Sequence, residues 1–240
     1  MLDCTPATII DAAATAGFDG VGLRLSGHQS GVDFAEVRRH AEARGIRIHD
    51  VEVHRITAAA TSADELLARA VAVGASALLV VSDLADRAAT VEAVGALREE
   101  CTAKGLRLGL EYMAWTDPST PTDAVDIARQ TGCELVVDLL HHLRVGAGVE
   151  ELDAIVAAGV LGWVQLCDAP IVSATPDDLI QEARHGRLLP GNGSLPLRPL
   201  LARVPDGVVL SVEVQSDGLL GVDPMERARQ LGNASRKVIG

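Results

Sequence analysis

The sequence predicts an α/β protein, a single (β/α)₈ TIM barrel domain over residues 1–240. Short apolar runs of strand length alternate with amphipathic helical segments along the whole chain. The apolar runs are rich in Val and Leu at consecutive positions, which is typical of strands buried on both faces of a parallel sheet. A length of 240 residues also suits a barrel of this kind.

Seven strands are predicted, separated by helical patterns. The strands are 20–25, 47–56, 77–82, 106–113, 134–140, 162–168 and 208–214. The clearest helical segments between them are 33–45, 62–74, 87–105 and 122–132. Helix ends are expected at Gly17, Gly45, Gly74, Gly105 and Gly132. Glycine favours these positions because it readily adopts the left-handed conformation of a helix C-cap.

An eighth strand has only the stub MLDC, before the first helical segment, from which to form. The first strand is therefore expected to be very short, or clipped by a start inside a longer reading frame. A doubly wound open sheet is the alternative architecture. A dinucleotide-binding version of it has no support, because no G-x-G-x-x-G turn opens a helix after any strand.

Composition narrows the classes of partner. With 21 Lys and Arg against 33 Asp and Glu, and 2% aromatic residues, the chain is acidic and offers few stacking surfaces, so no nucleic acid partner is expected. No apolar stretch approaches the roughly 18 residues of a membrane span, and no basic-then-apolar leader opens the sequence. The four cysteines form no C-x-x-C pair, as in reduced cytoplasmic proteins. A cytoplasmic protein that acts on a small molecule is expected.

Four strands carry a polar residue where a buried strand should stay apolar: Glu111, Asp138, Gln165 and Glu213. The first three follow one another at intervals of 27 residues, close to one βα unit, and a longer insertion precedes the fourth. In a closed barrel these side chains converge at the carboxyl-terminal mouth, where barrel active sites lie. Any one of them alone would be an ordinary solvated or helix-capping residue, but four at matched positions in consecutive strands predict a site.

Three converging carboxylates repel one another and resist burial, and a divalent cation relieves both problems. The sequence therefore predicts one divalent metal ion bound by Glu111, Asp138, Gln165 and Glu213. An all-oxygen ligand set suits Mn²⁺ or Mg²⁺, and Co²⁺ or Zn²⁺ remain open because affinity rises across that series.

Several motifs together resemble the sugar phosphate isomerase/epimerase family of xylose isomerase-like barrels. They are GLEYM, VVDLLHHLRVG, WVQLCDAP, RLLPGNGSLPL and SVEVQ, with AAATAGFDGVGLRL upstream. The resemblance covers essentially the whole chain. It implies that Glu111, Asp138 and Glu213 are metal ligands, with the two glutamates acting as catalytic base and acid. The third ligand is commonly His in this family, and Gln165 stands there as in some dehydratases. The resemblance also leaves a homo-oligomer open.

The candidate substrate-binding residues lie outside the set of four predicted metal ligands. The resemblance implies that His141 contacts substrate or metal, and that Arg187 binds substrate from the long loop that follows the predicted strand 162–168. Relatives often follow that arginine with P-G-E-G, whereas this chain has Asn192 in place of the glutamate. Glu52 and His54 alternate on one predicted strand face, so His54 either lines the pocket, which we favour, or is a partnered core histidine. Trp115 is either an apolar wall or ordinary loop packing.

The two remaining residues of the H-H-L-R segment have competing interpretations. His142 is expected to be a solvated neighbour of His141. Arg144 either binds a substrate oxyanion or neutralises Glu residues on the next helix, and the sequence favours neither.

The resemblance implies a metal-dependent isomerase or epimerase that forms an enediolate on a small keto- or hydroxy-substrate. The alternative is a dehydratase of the 3-dehydroshikimate or inosose type, which the amide ligand Gln165 favours. A repair endonuclease would need more histidines and a basic groove. A non-catalytic sugar-binding barrel would not need both glutamates.

Overall fold

The computed structural model of the chain describes residues 3–25, 31–60, 62–171 and 176–240. The strands are β1 (Gly20–Arg24), β2 (Arg47–Ile56), β3 (Ala77–Ser82), β4 (Arg107–Glu111), β5 (Glu134–Asp138), β6 (Leu161–Leu166) and β7 (Val209–Val212). The helices are α1 (Pro6–Ala16), α2 (Phe34–Arg44), α3 (Asp64–Val73), α4 (Arg87–Ala103), α5 (Pro121–Thr131), α6 (Leu139–Arg144), α7 (Val149–Ala157), α8 (Pro176–His185), α9 (Leu197–Leu201) and α10 (Pro224–Ile239). All seven predicted strands are present.

The seven strands form one parallel sheet in sequence order, from β1 to β7. This order excludes the doubly wound alternative, in which the strand order reverses at a switch point. Helix α1 packs against α10, so the helices close around the strands and the barrel is nearly complete. Within the described ranges, none of the helices combines the length and apolar character needed to cross a bilayer.

The stub proposed for an eighth strand is only partly described. Residues 1 and 2 lie outside the described ranges, and Asp3 and Cys4 form a turn and a bend. The Asp3 carboxylate accepts two hydrogen bonds from the Arg227 guanidinium, at 2.7 and 2.9 Å. This contact fastens the start of α1 to α10 beside the gap between β7 and β1.

The helix boundaries follow from local chemistry. Asp33 and Asp86 cap α2 and α4 by accepting backbone N–H groups of the first turn. All five glycines predicted at helix ends have positive φ, between 67° and 74°. The caps therefore lie where the sequence pattern places them.

The strands are apolar on both faces because each separates two cores. On β3, Leu78 and Val80 pack into the core between sheet and helices. Their neighbours Ala77, Leu79 and Val81 join Val136 and other side chains in the barrel interior. This alternation explains the continuous apolar runs in the sequence.

Trp163 forms the floor of the barrel interior. Its indole ring is fully buried, with His49 edge-on at 5.2 Å between ring centroids. The ring lies directly over Gly109, where an added Cβ would come within 2.1 Å of Cη2. Gly109 is therefore required by close approach, and the side chain of Glu111, two residues further along the same strand, lies above this floor.

We predict that Gly109→Ala destabilises the fold by about 1–3 kcal/mol or more, because the new methyl group overlaps the Trp163 ring. Gly95→Ala is the matched control: its Cβ would meet only the Thr131 methyl at 3.8 Å, inside α4. This control should stabilise the chain by about 0.5–1 kcal/mol. Urea unfolding measures both changes. Trp163→Phe should recover part of the loss in the Gly109→Ala background, and a wild-type free energy of unfolding for Gly109→Ala alone would contradict the packing.

Candidate active site

The four predicted ligand residues all lie at the carboxyl-terminal mouth of the barrel. Glu111 and Asp138 are the last residues of β4 and β5, and Gln165 is the next-to-last residue of β6. Asp138 and Gln165 are direct register partners on adjacent strands. Glu213 follows β7 immediately, and its backbone N–H donates to the Leu166 carbonyl at 3.1 Å.

Asp138 combines two contacts at the centre of this mouth. One carboxylate oxygen, Oδ1, accepts the backbone N–H groups of Leu140 (2.7 Å) and His141 (3.1 Å) and so caps α6. The other, Oδ2, accepts a hydrogen bond from Arg187 Nη1 at 2.5 Å. A carboxylate offers about four lone-pair sites, so these contacts leave acceptor capacity for an ion.

Glu111, Asp138 and His141 form the tightest group of ligating atoms. One ligand atom from each lies within 4.8 Å of the others, and all three residues are buried. His141 Nε2 lies 3.9 Å from Glu111 Oε1 and 3.3 Å from Arg187 Nη2. Because arginine has no acceptor, Nε2 of His141 accepts this hydrogen bond and carries the lone pair of a neutral imidazole.

The carboxylates at the mouth outnumber the positive charges beside them, and the pKa shifts reflect this. Burial, followed by the charges of Glu213 and Asp138, holds the pKa of Glu111 well above its usual range. Burial also lowers the pKa of His141, in keeping with a neutral ring. Burial opposes ionisation of Asp138 as well, but the charge of Arg187 and the hydrogen bonds from the Arg187 guanidinium and the His141 backbone N–H outweigh it and lower its pKa. Arg187 thus compensates Asp138, while Glu111 remains without a matching cation.

Gln165 supplies the observation that tests whether a metal fits. Its side chain is 4% exposed, and its carbonyl oxygen Oε1 is buried without a hydrogen-bond partner in the described part of the chain. An orphaned buried acceptor is costly unless something binds it. Next to three carboxylates, this oxygen suits a cation, so the residues fit the divalent ion predicted from the sequence.

Arg187 lies inside the acidic group. It is 3% exposed; its Nε donates to the Ala183 carbonyl at 2.8 Å, and Nη1 lies 3.5 Å from Glu213 Oε2. Asp138 and Glu213 raise its pKa against the effect of burial. The guanidinium is therefore bound by protein acceptors, and Asn192, further along the same loop, is exposed.

Sequence reasoning missed Asp168, which holds this loop in place. Its buried carboxylate accepts the backbone N–H groups of Ala169, Gly191 and Leu195 at 2.8–3.0 Å. Gly193 approaches so closely that a Cβ would lie 2.3 Å from Asp168 Oδ1. The available signal was an Asp just after a buried strand, paired with a glycine-rich loop whose backbone needs an acceptor.

The expectation that His142 is solvated is wrong. The residue is fully buried, and its Nε2 donates to the Gly148 carbonyl at 2.7 Å. That donation fixes the tautomer, so Nδ1 accepts the Tyr112 hydroxyl at 2.6 Å. His142 therefore joins β4 to the segment that follows α6.

Arg144 pairs with a glutamate, but this glutamate lies on α8 and not on the next helix, α7, as the sequence alternative had it. Its guanidinium makes a bidentate pair with Glu182 of α8, with both N–O distances 2.7 Å. Nη2 also donates to the Pro170 carbonyl at 2.7 Å. The residue ties α6 to α8 and to the segment after β6.

His54 does not follow the alternation assumed for β2. The register between β2 and β3 shifts between Val51 and His54, and His54 pairs with Val80, whose side chain packs into the helix-facing core. Trp115 contacts the site, since its ring lies edge-on to His141 with 5.1 Å between centroids.

The family model described as xylose isomerase-like TIM barrel matches residues 10–237. The chain belongs to this family. The match explains the nearly closed barrel and places the acidic mouth where enzymes of this architecture carry out chemistry.

Named relatives cover more than one activity. The chain is 28% identical over 232 residues to a 3-dehydroshikimate dehydratase of Pseudomonas aeruginosa, covering 87% of this chain and 36% of that protein. The chain thus spans about a third or less of the length of the curated relatives it matches. Among solved structures, the IolI protein with a binding zinc atom has a TM-score of 0.82 at 14% identity, covering 96% of this chain and 91% of that one. A D-psicose 3-epimerase has a TM-score of 0.73 at 14% identity, covering 100% and 95%.

We predict opposite effects of Gln165→Leu on folding and on metal binding. Removing the orphaned buried amide should leave the metal-free protein as stable or raise its stability by about 1 kcal/mol. Affinity for Mn²⁺ or Co²⁺ should fall by at least the roughly 10- to 100-fold that loss of an outer-shell partner costs. Calorimetry on chelator-treated protein measures the affinity, and Gln130→Leu on the exposed side of α5 is the control. Gln165→His should retain the ion, and unchanged affinity in Gln165→Leu would place the site elsewhere.

Proposed function

We propose that the protein is a divalent metal-dependent lyase that dehydrates a small polyhydroxylated oxo-acid of the 3-dehydroshikimate type. The observation that carries the proposal is the meeting of Glu111, Asp138 and Glu213 with the unpartnered Gln165 oxygen at the barrel mouth. These four residues would hold one ion, of which Mn²⁺, Mg²⁺, Co²⁺ and Zn²⁺ are the candidates. His141 lies close enough to join them.

When bound, the ion supplies Lewis-acid stabilisation of negative charge on the substrate carbonyl oxygen. The protein residues supply the proton transfers. Glu213 removes a proton from the carbon next to the carbonyl, and the amide of Gln215, 2.9 Å from its carboxylate, holds it in orientation. Glu111 donates a proton to the departing β-hydroxyl, which leaves as water. His141 borders this region and would bind a substrate oxygen, while Arg187, held by protein acceptors, would position His141 and Asp138.

Two observations favour dehydration over isomerisation. The curated relative with 87% coverage of this chain is a 3-dehydroshikimate dehydratase. The third ligand is the amide Gln165, the departure from histidine that already favoured a dehydratase at the sequence level. We therefore place the lyase ahead of the isomerase that the family resemblance first implied.

The isomerase or epimerase remains the second candidate. Two glutamates in one mouth can remove a proton and return it at another position, and the similarity in fold to a D-psicose 3-epimerase supports a sugar substrate. Metal-loaded protein should be assayed against 3-dehydroshikimate, inosose and ketohexoses in D₂O. Ultraviolet absorbance detects the aromatic product that dehydration of 3-dehydroshikimate forms. Exchange of deuterium into a ketose without loss of water would favour the isomerase.

The proposal also covers the domain organisation, the cellular location and the partners of the protein. We infer that residues 1–240 act as one barrel domain, since a single sheet and its surrounding core run through the described ranges. All four cysteines are unpaired, which supports a reducing, cytoplasmic location. The expected partner is a small carbohydrate-like substrate, and a homo-oligomer is an open proposal.

We predict that Glu213→Gln keeps the metal but loses about 10²- to 10⁴-fold in turnover, because an amide oxygen can still bind a cation but cannot accept a proton. Solvent deuterium incorporation should fall in parallel. Glu99→Gln, on the exposed side of α4, is the charge-matched control. Wild-type turnover in a metal-loaded Glu213→Gln protein would remove Glu213 from the proton transfers and leave His141 as the next base to test.

A further inference from the structure

Arg24 lies on the side of the barrel mouth that the metal ligands do not occupy. It is the last residue of β1, and its register partner on β2 is Glu52. Leu23 packs into the helix-facing core, so the alternation of the strand directs Arg24 toward the barrel interior. Arg24 Nε lies 3.6 Å from Glu52 Oε1, and the arginine side chain is 34% exposed.

The two arginines at the mouth differ in how far their donors are satisfied. Arg187 donates to Ala183, Asp138 and Glu213 and is almost completely buried. Arg24 makes one long ion pair with Glu52, and its buried Nε has no hydrogen-bond partner among residues 3–25, 31–60, 62–171 and 176–240. A guanidinium carries five N–H donors, so Arg24 keeps a strong unmet capacity for an acceptor.

Glu52 connects Arg24 to the acidic group. Its charge contributes to the raised pKa of Glu111, and burial together with the charge of Glu213 raises its own pKa to about 7. The separation of 3.6 Å between Arg24 Nε and Glu52 Oε1 is beyond hydrogen-bond distance, so Glu52 satisfies Arg24 incompletely. The positive charge of Arg24 is available to a ligand in the mouth.

Charge balance indicates the kind of ligand. Glu111, Asp138 and Glu213 carry three negative charges when ionised, Arg187 returns one positive charge, and a divalent ion would return the other two. The metal group is then neutral. Protonation of Glu111, which its role as proton donor requires, would leave one positive charge, and the negative charge that develops on the substrate carbonyl oxygen would take it up. An anionic substituent of the substrate needs a further cation, and Arg24 has the free donors and the exposure to provide it.

We propose that Arg24 forms the binding site for the carboxylate of the substrate, and so selects acidic substrates over neutral sugars. The proposal rests on the function argued above, which requires a small oxo-acid. A planar guanidinium binds a carboxylate through two parallel hydrogen bonds, which fixes the orientation of the substrate as well as its charge. Arg24 would thereby orient the substrate ring, while the metal group would bind the carbonyl and hydroxyl oxygens of the substrate.

The test uses a pair of ligands that differ only in this group, 3,4-dihydroxybenzoate and its neutral amide, 3,4-dihydroxybenzamide. Calorimetry on the metal-loaded protein should show the acid binding about 10- to 100-fold more tightly, the range of a charge-assisted hydrogen bond. Arg24→Gln should remove this preference and leave amide binding within about twofold, and Arg24→Lys should keep part of it. Arg47→Gln is the control, since this exposed arginine begins β2 at the opposite end of the barrel.

Unchanged binding of both ligands in Arg24→Gln would overturn the proposal, as would equal loss of both or failure of the wild type to prefer the acid. Amide binding reports on folding of the variant, so a misfolded protein cannot pass for a positive result. These readouts need no turnover. A wild type that prefers the acid through Arg24 yet never dehydrates 3-dehydroshikimate would support the carboxylate site and contradict the lyase.

Discussion

The structure of the barrel mouth depends on the buried contact between Asp138 and Arg187. Asp138 is 1% exposed, and it both begins α6 and accepts the guanidinium that the loop after β6 brings inward. A buried carboxylate needs such partners, because isolated burial of its charge is too costly. The contact joins residues 49 positions apart. It draws Arg187 toward Glu213 and His141, so the start of α6, the position of Arg187 and the electrostatics of the site depend on one carboxylate, while Asp168 holds the rest of the loop.

The side chains inside the barrel form two layers: a lower layer of packed core residues, and an upper layer at the carboxyl-terminal mouth that holds the candidate site. The lower layer is closely packed and mostly apolar, with the Trp163 ring over Gly109; His49 lies edge-on to that ring, and the buried Asp50 follows His49 on β2. The upper layer begins one alternation further along the same strands, at Glu111, Asp138 and Gln165. Strands tied together below by close packing hold the side chains above them in fixed positions, which is what a metal and proton-transfer site requires. Apolar packing beneath the carboxylates also lowers the local dielectric, which strengthens their need for a cation.

The sequence predicted the contacts that follow from the regular βα repeat. It did not predict contacts between residues that lie far apart in the sequence and outside that repeat. The interval between Asp138 and Gln165 follows from the βα repeat, and the two residues are indeed register partners. The burial of His142 depends on Tyr112, 30 residues earlier, and on the Gly148 carbonyl, neither of which is visible in the local pattern. The expectation for His54 assumed a regular alternation along β2, and the register shift there changes which face a side chain takes without changing the sequence period. The resemblance placed Arg187 correctly near the site, but only the structure shows its donors bound by protein acceptors.

The choice between dehydration and isomerisation depends on the parts of the mouth that differ from the shared metal group. Both reactions begin with loss of a proton beside a carbonyl, so Glu111, Asp138 and Glu213 would serve either one, and among the proposed ligands only the amide Gln165 favours dehydration. The outcome depends on how the substrate is held: expulsion of a β-hydroxyl requires that group to lie next to a proton donor, while isomerisation requires the proton to return to carbon.

The β3 side of the interior is apolar at Leu79 and Val81 and offers a sugar few hydrogen bonds. The polar group on the β1–β2 side is Arg24 with Glu52, which suits a carboxylate better than a neutral hydroxyl. A substrate ring bound at its carboxylate by Arg24 and at its oxygens by the metal group, as proposed, would have little freedom to rotate, and this constraint would favour a single elimination over reversible proton return.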